Sequence, residues 1–156
     1  GPTLFALSRQ NLPTLDRSKM APAGELQRGA YVLTETAGRK PDIILIATGS
    51  ELHLAVGAKP ELESKGVAVR VVSMPSFELF EEQDEKYRES VLPRSITKRL
   101  GIEAGSPMSW YRWIGPDGDV IGMTTYGLSG PYKVVLKHFG FTVENVVSRA
   151  LKLLGR

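Results

Sequence analysis

Apolar and polar positions change period repeatedly along the chain, and each change marks a new element. Thr3-Leu4-Phe5-Ala6-Leu7 is an apolar run closed by Ser8-Arg9-Gln10-Asn11, the pattern of a short buried strand. From Leu12 to Arg28, Pro13, Pro22, Gly24 and mixed charges leave no sustained period, so this stretch reads as a connector. Tyr31-Val32-Leu33 predicts a strand. Ile43-Ile44-Leu45-Ile46-Ala47 is apolar at every position, as in a strand covered on both faces. Thr48-Gly49-Ser50 then turns the chain into a helix predicted from Glu51 to about Lys65, with Leu52, Ala55, Val56 and Leu62 on one face. Pro60 interrupts that pattern, because it donates no N–H and its ring meets the carbonyl of residue 56. Either the helix kinks there, or a second helix opens with Pro60 at its first position.

The same alternation continues to the end. Gly66 stops the helix, Val67 to Val72 predicts a strand, and Ser73-Met74-Pro75-Ser76 ends it. The acidic stretch Glu78 to Tyr87 predicts one helix. Arg99 to Glu103 reads as a strand turned by Ala104-Gly105-Ser106-Pro107, Met108 to Trp113 as a short helix, and Val120 to Met123 as the last strand. Tyr132, Val135, Leu136 and Phe139 recur at i, i+3, i+4, i+7, predicting a helix that buries all of them and ends at Gly140. Thr142 suits the N-cap of a final helix striped by Val143, Val146, Val147, Ala150, Leu151 and Leu154. Strands alternating with helices predict an α/β fold: a three-layer α/β/α, Rossmann-like arrangement with a mostly parallel mixed sheet and helices on both faces.

Composition narrows the function more than the fold. With 42% apolar and 24% charged residues, the 156-residue chain has the make-up of one folded domain. Its 20 basic and 17 acidic residues leave a net charge of +3. The excess is scattered rather than gathered on one stretch, which argues against nucleic acid as a partner. No cysteine is present, which excludes a disulfide framework and a thiolate metal site and fits a reducing compartment such as the cytoplasm. The longest apolar run falls far below the ~20 residues of a bilayer span, so no membrane partner is expected. The first residues carry no secretory-signal pattern.

Candidate chemistry is sparse. His53 and His138 lie in helical stretches without a ligand at HExxH spacing, so each reads first as a helix-surface residue. Thr48-Gly49-Ser50-Glu51 joins a strand to a helix, where backbone N–H groups suit an anion, but it matches neither a P-loop nor GxGxxG. Its alternative is a tight turn with Ser50 or Thr48 as cap. Glu103 would face the same strand-end crevice, either as a cap or as a base. Trp110, Tyr111 and Trp113 form the densest aromatic cluster and suit either a stacked ligand or a core or interface anchor. Arg9, directly after an apolar run, is placed either for a surface salt bridge or for a bidentate grip on phosphate.

Several blocks together resemble transketolase. They are Ala6-Leu7-Ser8-Arg9-Gln10-Asn11-Leu12-Pro13, Gly29-Ala30-Tyr31-Val32-Leu33, and Ile44-Leu45-Ile46-Ala47-Thr48-Gly49-Ser50-Glu51. Arg70-Val71-Val72-Ser73-Met74-Pro75-Ser76, Tyr87-Arg88-Glu89-Ser90-Val91-Leu92-Pro93 and the stretch from Phe139-Gly140 to Val146-Val147 continue the series in the family's order. The first block favours transketolase over deoxyxylulose phosphate synthase, which shares the domain plan, as does dihydroxyacetone synthase. The resemblance implies that residues 1–12 are the closing strand of a pyrimidine-binding domain, 13–28 a linker, and 29–156 a transketolase C-terminal domain.

It also implies the activity of the full-length family: transfer of a two-carbon ketol unit from a ketose phosphate to an aldose phosphate in the pentose phosphate pathway. The family's enzymes are cytoplasmic homodimers using thiamine diphosphate, an electron sink for the carbanion, and Mg2+ or Ca2+. Of the family's functional residues only the Arg of Ser-Arg-Gln falls within this chain. That residue is Arg9, implied to contact the sugar phosphate. The family's metal motif, Gly-Asp-Gly with a later pair of Asn, has no counterpart, since Pro116-Asp117-Gly118-Asp119 reverses its order. The resemblance thus implies no catalytic, cofactor or metal residue in this stretch, no cofactor bound by it alone, and a role in structure and dimerisation. Pro60 and Gly130 depart from the family's pattern. The competing expectations are an effector- or anion-binding module centred on Thr48, Gly49, Ser50 and Glu103, and a dimerising domain whose interface includes the aromatic cluster.

Overall fold

In the computed structural model, which describes residues 10–156, the all-apolar run becomes the middle strand of a five-stranded sheet. The strands are β1 (Tyr31–Glu35), β2 (Ile43–Ala47), β3 (Val69–Ser73), β4 (Arg99–Ile102) and β5 (Asp119–Ile121), lying in the order β1-β3-β2-β4-β5. β2 runs parallel to both β3 and β4, and β4 parallel to β5. β1 alone is antiparallel, at one edge against β3 with a bulge between Val32 and Thr34. The expected mostly parallel mixed sheet is therefore present. The expected strand Thr3 to Leu7 lies outside the described residues.

Strand pleating divides β2 between two cores. Ile43, Leu45 and Ala47 enter one apolar cluster, while Ile44 and Ile46 enter the other. Side chains buried to this degree contribute about 1.5–3 kcal/mol each, so a strand apolar throughout holds both helical layers. The helices are α1 (Leu52–Ser64), α2 (Phe77–Glu81), α3 (Glu85–Val91), α4 (Tyr111–Ile114), α5 (Tyr132–His138) and α6 (Val143–Leu153). Residues of α1, α5 and α6 pack into the first cluster, and residues of α2, α3 and α4 into the second.

Several helices differ from expectation. α1 is continuous through Pro60, so no second helix starts there. Its inward face is Leu54, Ala55, Ala58 and Leu62, with Leu52 and Val56 only partly buried at the margin. The acidic stretch divides into α2 and α3. Each has its own cap: Ser76 accepts from the Leu79 N–H at 3.2 Å and Asp84 from the Tyr87 N–H at 2.7 Å. Asp84 bonds locally in place of continuing the helix. Residues 107–110 form a 3₁₀ turn ahead of α4. α5 buries none of its residues completely, and Tyr132 is exposed. α6 has the expected Thr142 cap and buries Val146, Val147 and Ala150.

The connector 13–28 ends in a 3₁₀ helix over Ala23–Arg28 and enters the domain at Gly29. Gly29 has φ +79°, and a Cβ there would lie 2.3 Å from the Phe80 nitrogen, so only glycine fits. From β2 the chain passes through α1 to β3 on one side, then crosses to β4 on the other. The sheet's topological switch point thus falls between the C-terminal ends of β2 and β4, where open α/β sheets bind their ligands.

Candidate functional site

Both sequence-based candidates in the strand-end crevice, Thr48–Glu51 and Glu103, come together at this switch point. Thr48 leaves β2 extended, and Gly49 at φ +55° starts a 3₁₀ turn that runs into α1. Neither Thr48 nor Ser50 makes the side-chain cap expected of it. Glu51 folds back into the crevice instead. Its side chain is buried; Oε1 accepts from the Ser50 hydroxyl at 2.5 Å and Oε2 from the Ala104 N–H, beyond β4, at 3.2 Å. The carboxylate makes no cap bond to α1 and instead bridges the entry of α1 to the turn after β4. The crevice is closed by this link between the β2 and β4 ends.

Glu103 is engaged as well. Its Oε2 accepts from the Trp110 indole N–H at 2.6 Å, which satisfies the one polar atom of a completely buried Trp. A Cβ on Gly105 would sit 3.3 Å from the same oxygen, so the turn after β4 wraps closely around this carboxylate. Phe77 meets Trp110 edge-on at 5.2 Å and stacks on Trp113 at 5.7 Å. Trp110 and Trp113 are therefore core anchors, whereas Tyr111 between them points outward with 59% of its surface exposed. The aromatic cluster offers no platform of adjacent rings to a ligand.

The histidines stay apart. His53 lies in the first turn of α1, with Nδ1 against the Ser50 carbonyl, and His138 lies near the end of α5, edge-on to Phe139. Among the described residues there is no group of three or more His, Cys, Asp or Glu side chains able to hold a metal ion. The described residues therefore supply no such side-chain group for the divalent metal that the family resemblance implies. No helix among the described residues is long and apolar enough to cross a membrane. Arg9 lies outside the described residues.

Two ionic features were not anticipated from sequence. Asp119, opening β5, is paired with Arg149 of α6 and accepts from the Val120 N–H at 2.8 Å. Partial burial opposes its ionisation. The hydrogen bonds from Arg149 and Val120, with the charges of Arg149 and Lys152, outweigh that and hold the carboxyl below its ordinary range. Arg99, opening β4, places its guanidinium among the carbonyls of Leu92, Pro93, Ile96 and Trp113. Nothing local marks either residue; their partners lie on other elements.

A mostly parallel sheet wound in both directions from β2, with Glu51 bonded across its switch point, defines a doubly wound α/β domain. The model of the transketolase-like TK C-terminal domain matches residues 29–142, and the chain belongs to the transketolase family. Transketolase of Aquifex aeolicus (strain VF5) is 48% identical over 152 residues, 97% of this chain and 22% of that protein. Transketolase 1 of Escherichia coli (strain K12) is 50% identical over 154 residues, 99% of this chain and 23% of that protein. A crystal structure of transketolase from Pichia stipitis, in complex with sedoheptulose-7-phosphate, matches with a TM-score of 0.84 and 37% identity, over 94% of this chain and 20% of that one. The chain thus spans less than a quarter of the length of these relatives.

Proposed function

We propose that this chain serves as the C-terminal part of a transketolase that transfers a two-carbon ketol unit between sugar phosphates. Residues 1–12 complete a preceding pyrimidine-binding domain, 13–28 link it to the domain at 29–156, and Arg9 binds the substrate's phosphate. Thiamine diphosphate and Mg2+ or Ca2+ belong to parts of the protein that precede this stretch. The enzyme is a cytoplasmic homodimer of the pentose phosphate pathway, and the 156-residue chain alone is inert. The observation that carries this reading is the match, at about half identity, of 97–99% of the chain to proteins that are all transketolases.

The geometry agrees with a supporting role. The carboxylates of Glu51 and Glu103 and the rings of Trp110 and Trp113 are engaged in bonds and packing within the domain. The effector-binding alternative at Thr48–Glu51 has no comparable support, because Glu51 fills its crevice.

In a full-length enzyme carrying this segment, Arg9→Ala is expected to raise KM for phosphorylated sugars about tenfold or more, with little change for unphosphorylated ones, because a charge-assisted bidentate contact is lost. Equal effects on both substrate types would remove Arg9 from phosphate binding. Calorimetric titration of the 156-residue chain with thiamine diphosphate should give no binding heat in the micromolar range. Micromolar affinity would place the cofactor's determinants in this segment and overturn the assignment.

A further inference from the structure

On the side of the sheet covered by α2, α3 and α4 there is a cleft of about 200 Å³, whose lining includes Arg88, Arg94, Arg99 and Arg112 together with Glu85 and Glu89. Four guanidinium groups in one cleft call for an account of their counter-charges. Arg94 is paired with Glu85 at 2.5 Å and Glu89 at 3.8 Å, and Arg112 with Glu81 at 2.5 Å. These account for two of the four.

The other two make no ion pair within 4 Å among the described residues, although Glu89 lines the same cleft. Arg99 is surrounded by backbone carbonyls, at 3.1 Å from Leu92, 2.8 Å from Pro93, 2.9 Å from Ile96 and 2.7 Å from Trp113. Carbonyls satisfy its donors without neutralising its charge. Burial lowers its affinity for the proton, and the charge of Glu89 only partly offsets this. Arg88 is more unusual. Its Nε is the one buried side-chain nitrogen or oxygen among the described residues that has no hydrogen-bond partner. A buried donor left unmet is destabilising, and native proteins rarely keep one without a reason.

We propose that this cleft binds a small phosphate-class anion, either free inorganic phosphate or the phosphate group of a small monoester. Four guanidinium groups against the carboxylates of Glu81, Glu85 and Glu89 leave one net positive charge at the cleft, and the planar guanidinium fork fits tetrahedral oxyanions through paired hydrogen bonds. The cleft falls below the roughly 300 Å³ at which pockets for larger organic ligands begin, so a nucleotide is too big. Arg94 and Arg112 are mostly exposed, at 78% and 64% of their side chains. Exposed ion pairs of that kind hold weakly, so these two arginines can turn from their glutamates toward an incoming anion at little cost.

The test is a titration of the 156-residue chain with inorganic phosphate at constant ionic strength, chloride being the balancing ion, read on the arginine Nε–H resonances. The Arg88 Nε–H signal should move saturably with phosphate and remain still in chloride. Arg88→Gln should weaken phosphate binding about tenfold, and Arg88→Lys should recover part of the loss. Glycerol 3-phosphate distinguishes the two sources: tighter binding than inorganic phosphate assigns the site to a monoester, and equal or weaker binding to the free ion. A linear, unsaturated shift identical for phosphate and chloride would overturn the proposal, as would unchanged affinity in Arg88→Gln. The wild-type resonances decide the matter even if Arg88→Gln does not fold.

Discussion

Asp119 and Glu51 are both carboxylates bonded far along the chain, and they differ in what they fasten. Asp119 ties the edge strand β5 to α6 through Arg149, thirty residues on. A carboxyl whose pKa falls on folding adds stability above its unfolded value near 3.8, and that addition is lost as the pH drops through the lower folded value. Asp119→Asn is therefore expected to lower the urea midpoint at neutral pH, while in strong acid the two proteins converge. The side chain is about one-third exposed, so the difference should be on the order of 1 kcal/mol or less. A gap that stays constant through the acid range would show that the ion pair does not set it. Glu51 marks the limit of what local sequence discloses. Thr48-Gly49-Ser50-Glu51 is legible as a strand–turn–helix junction suited to an anion. The anion there is the chain's own Glu51 carboxylate, because the Ala104 N–H that receives it comes from another strand end. The pairing of Glu103 with Trp110 is closer in sequence, but it too depends on a turn whose path the residue order alone does not fix.

Among the elements, those whose burial is uniform were the most legible. β2 matched residue for residue because a strand apolar at every position leaves no choice of face. α6 matched because a threonine cap and a single apolar stripe agree with one another. The acidic stretch was harder to read: its break at Asp84 depends on a side chain outcompeting helix continuation by bonding the Tyr87 N–H, which periodicity does not register. α1 lies within a residue of its expected bounds at each end, but of the two readings at Pro60 the restart of a second helix is absent. Proline inside a helix costs about 3 kcal/mol in an isolated setting, yet α1 runs on from Leu52 to Ser64, anchored by completely buried Ala55, Ala58 and Leu62. Pro60 is on the exposed side and meets no core residue that would suffer from its removal. Pro60→Ala should therefore stabilise the domain. The gain is about 2–2.5 kcal/mol once the greater freedom of the unfolded alanine chain, worth about 0.4–1 kcal/mol, is subtracted from that cost. Urea unfolding of the two proteins measures it directly. A lower midpoint for the variant would mean that the helix uses the bend that Pro60 imposes.

Across the whole molecule, apolar surface is distributed unevenly. The two cores beneath and above the sheet are closed, with completely buried side chains on both sides of β2. The stretch from Tyr126 to Val134 is different: Tyr126 is 97% exposed, Val134 65%, Leu128 56% and Tyr132 45%. Four large apolar side chains within nine residues, Tyr126 and Leu128 ahead of α5 and Tyr132 and Val134 on it, are left in water and have the character of a surface meant to be covered. Helical spacing identified Tyr132, Val135, Leu136 and Phe139 as one face, but spacing does not say which chain supplies the cover. Val135, Leu136 and Phe139 find partial burial within the domain, and Tyr132 does not. The transketolases that match this chain are more than four times its length, and on the proposed assignment their preceding domains are the natural occupant of this surface. Hydroxyl-radical footprinting of the 156-residue chain beside a full-length enzyme containing it tests that directly, since tyrosine oxidation follows exposure. Tyr126 and Tyr132 should label several-fold more slowly in the longer protein, while Tyr87, half-buried and bonded to the Ala30 carbonyl at 2.9 Å, labels alike in both. Equal labelling of Tyr126 and Tyr132 in the two proteins would leave this surface facing solvent in the full-length enzyme, and the exposed stretch would then have to be explained without the preceding domains.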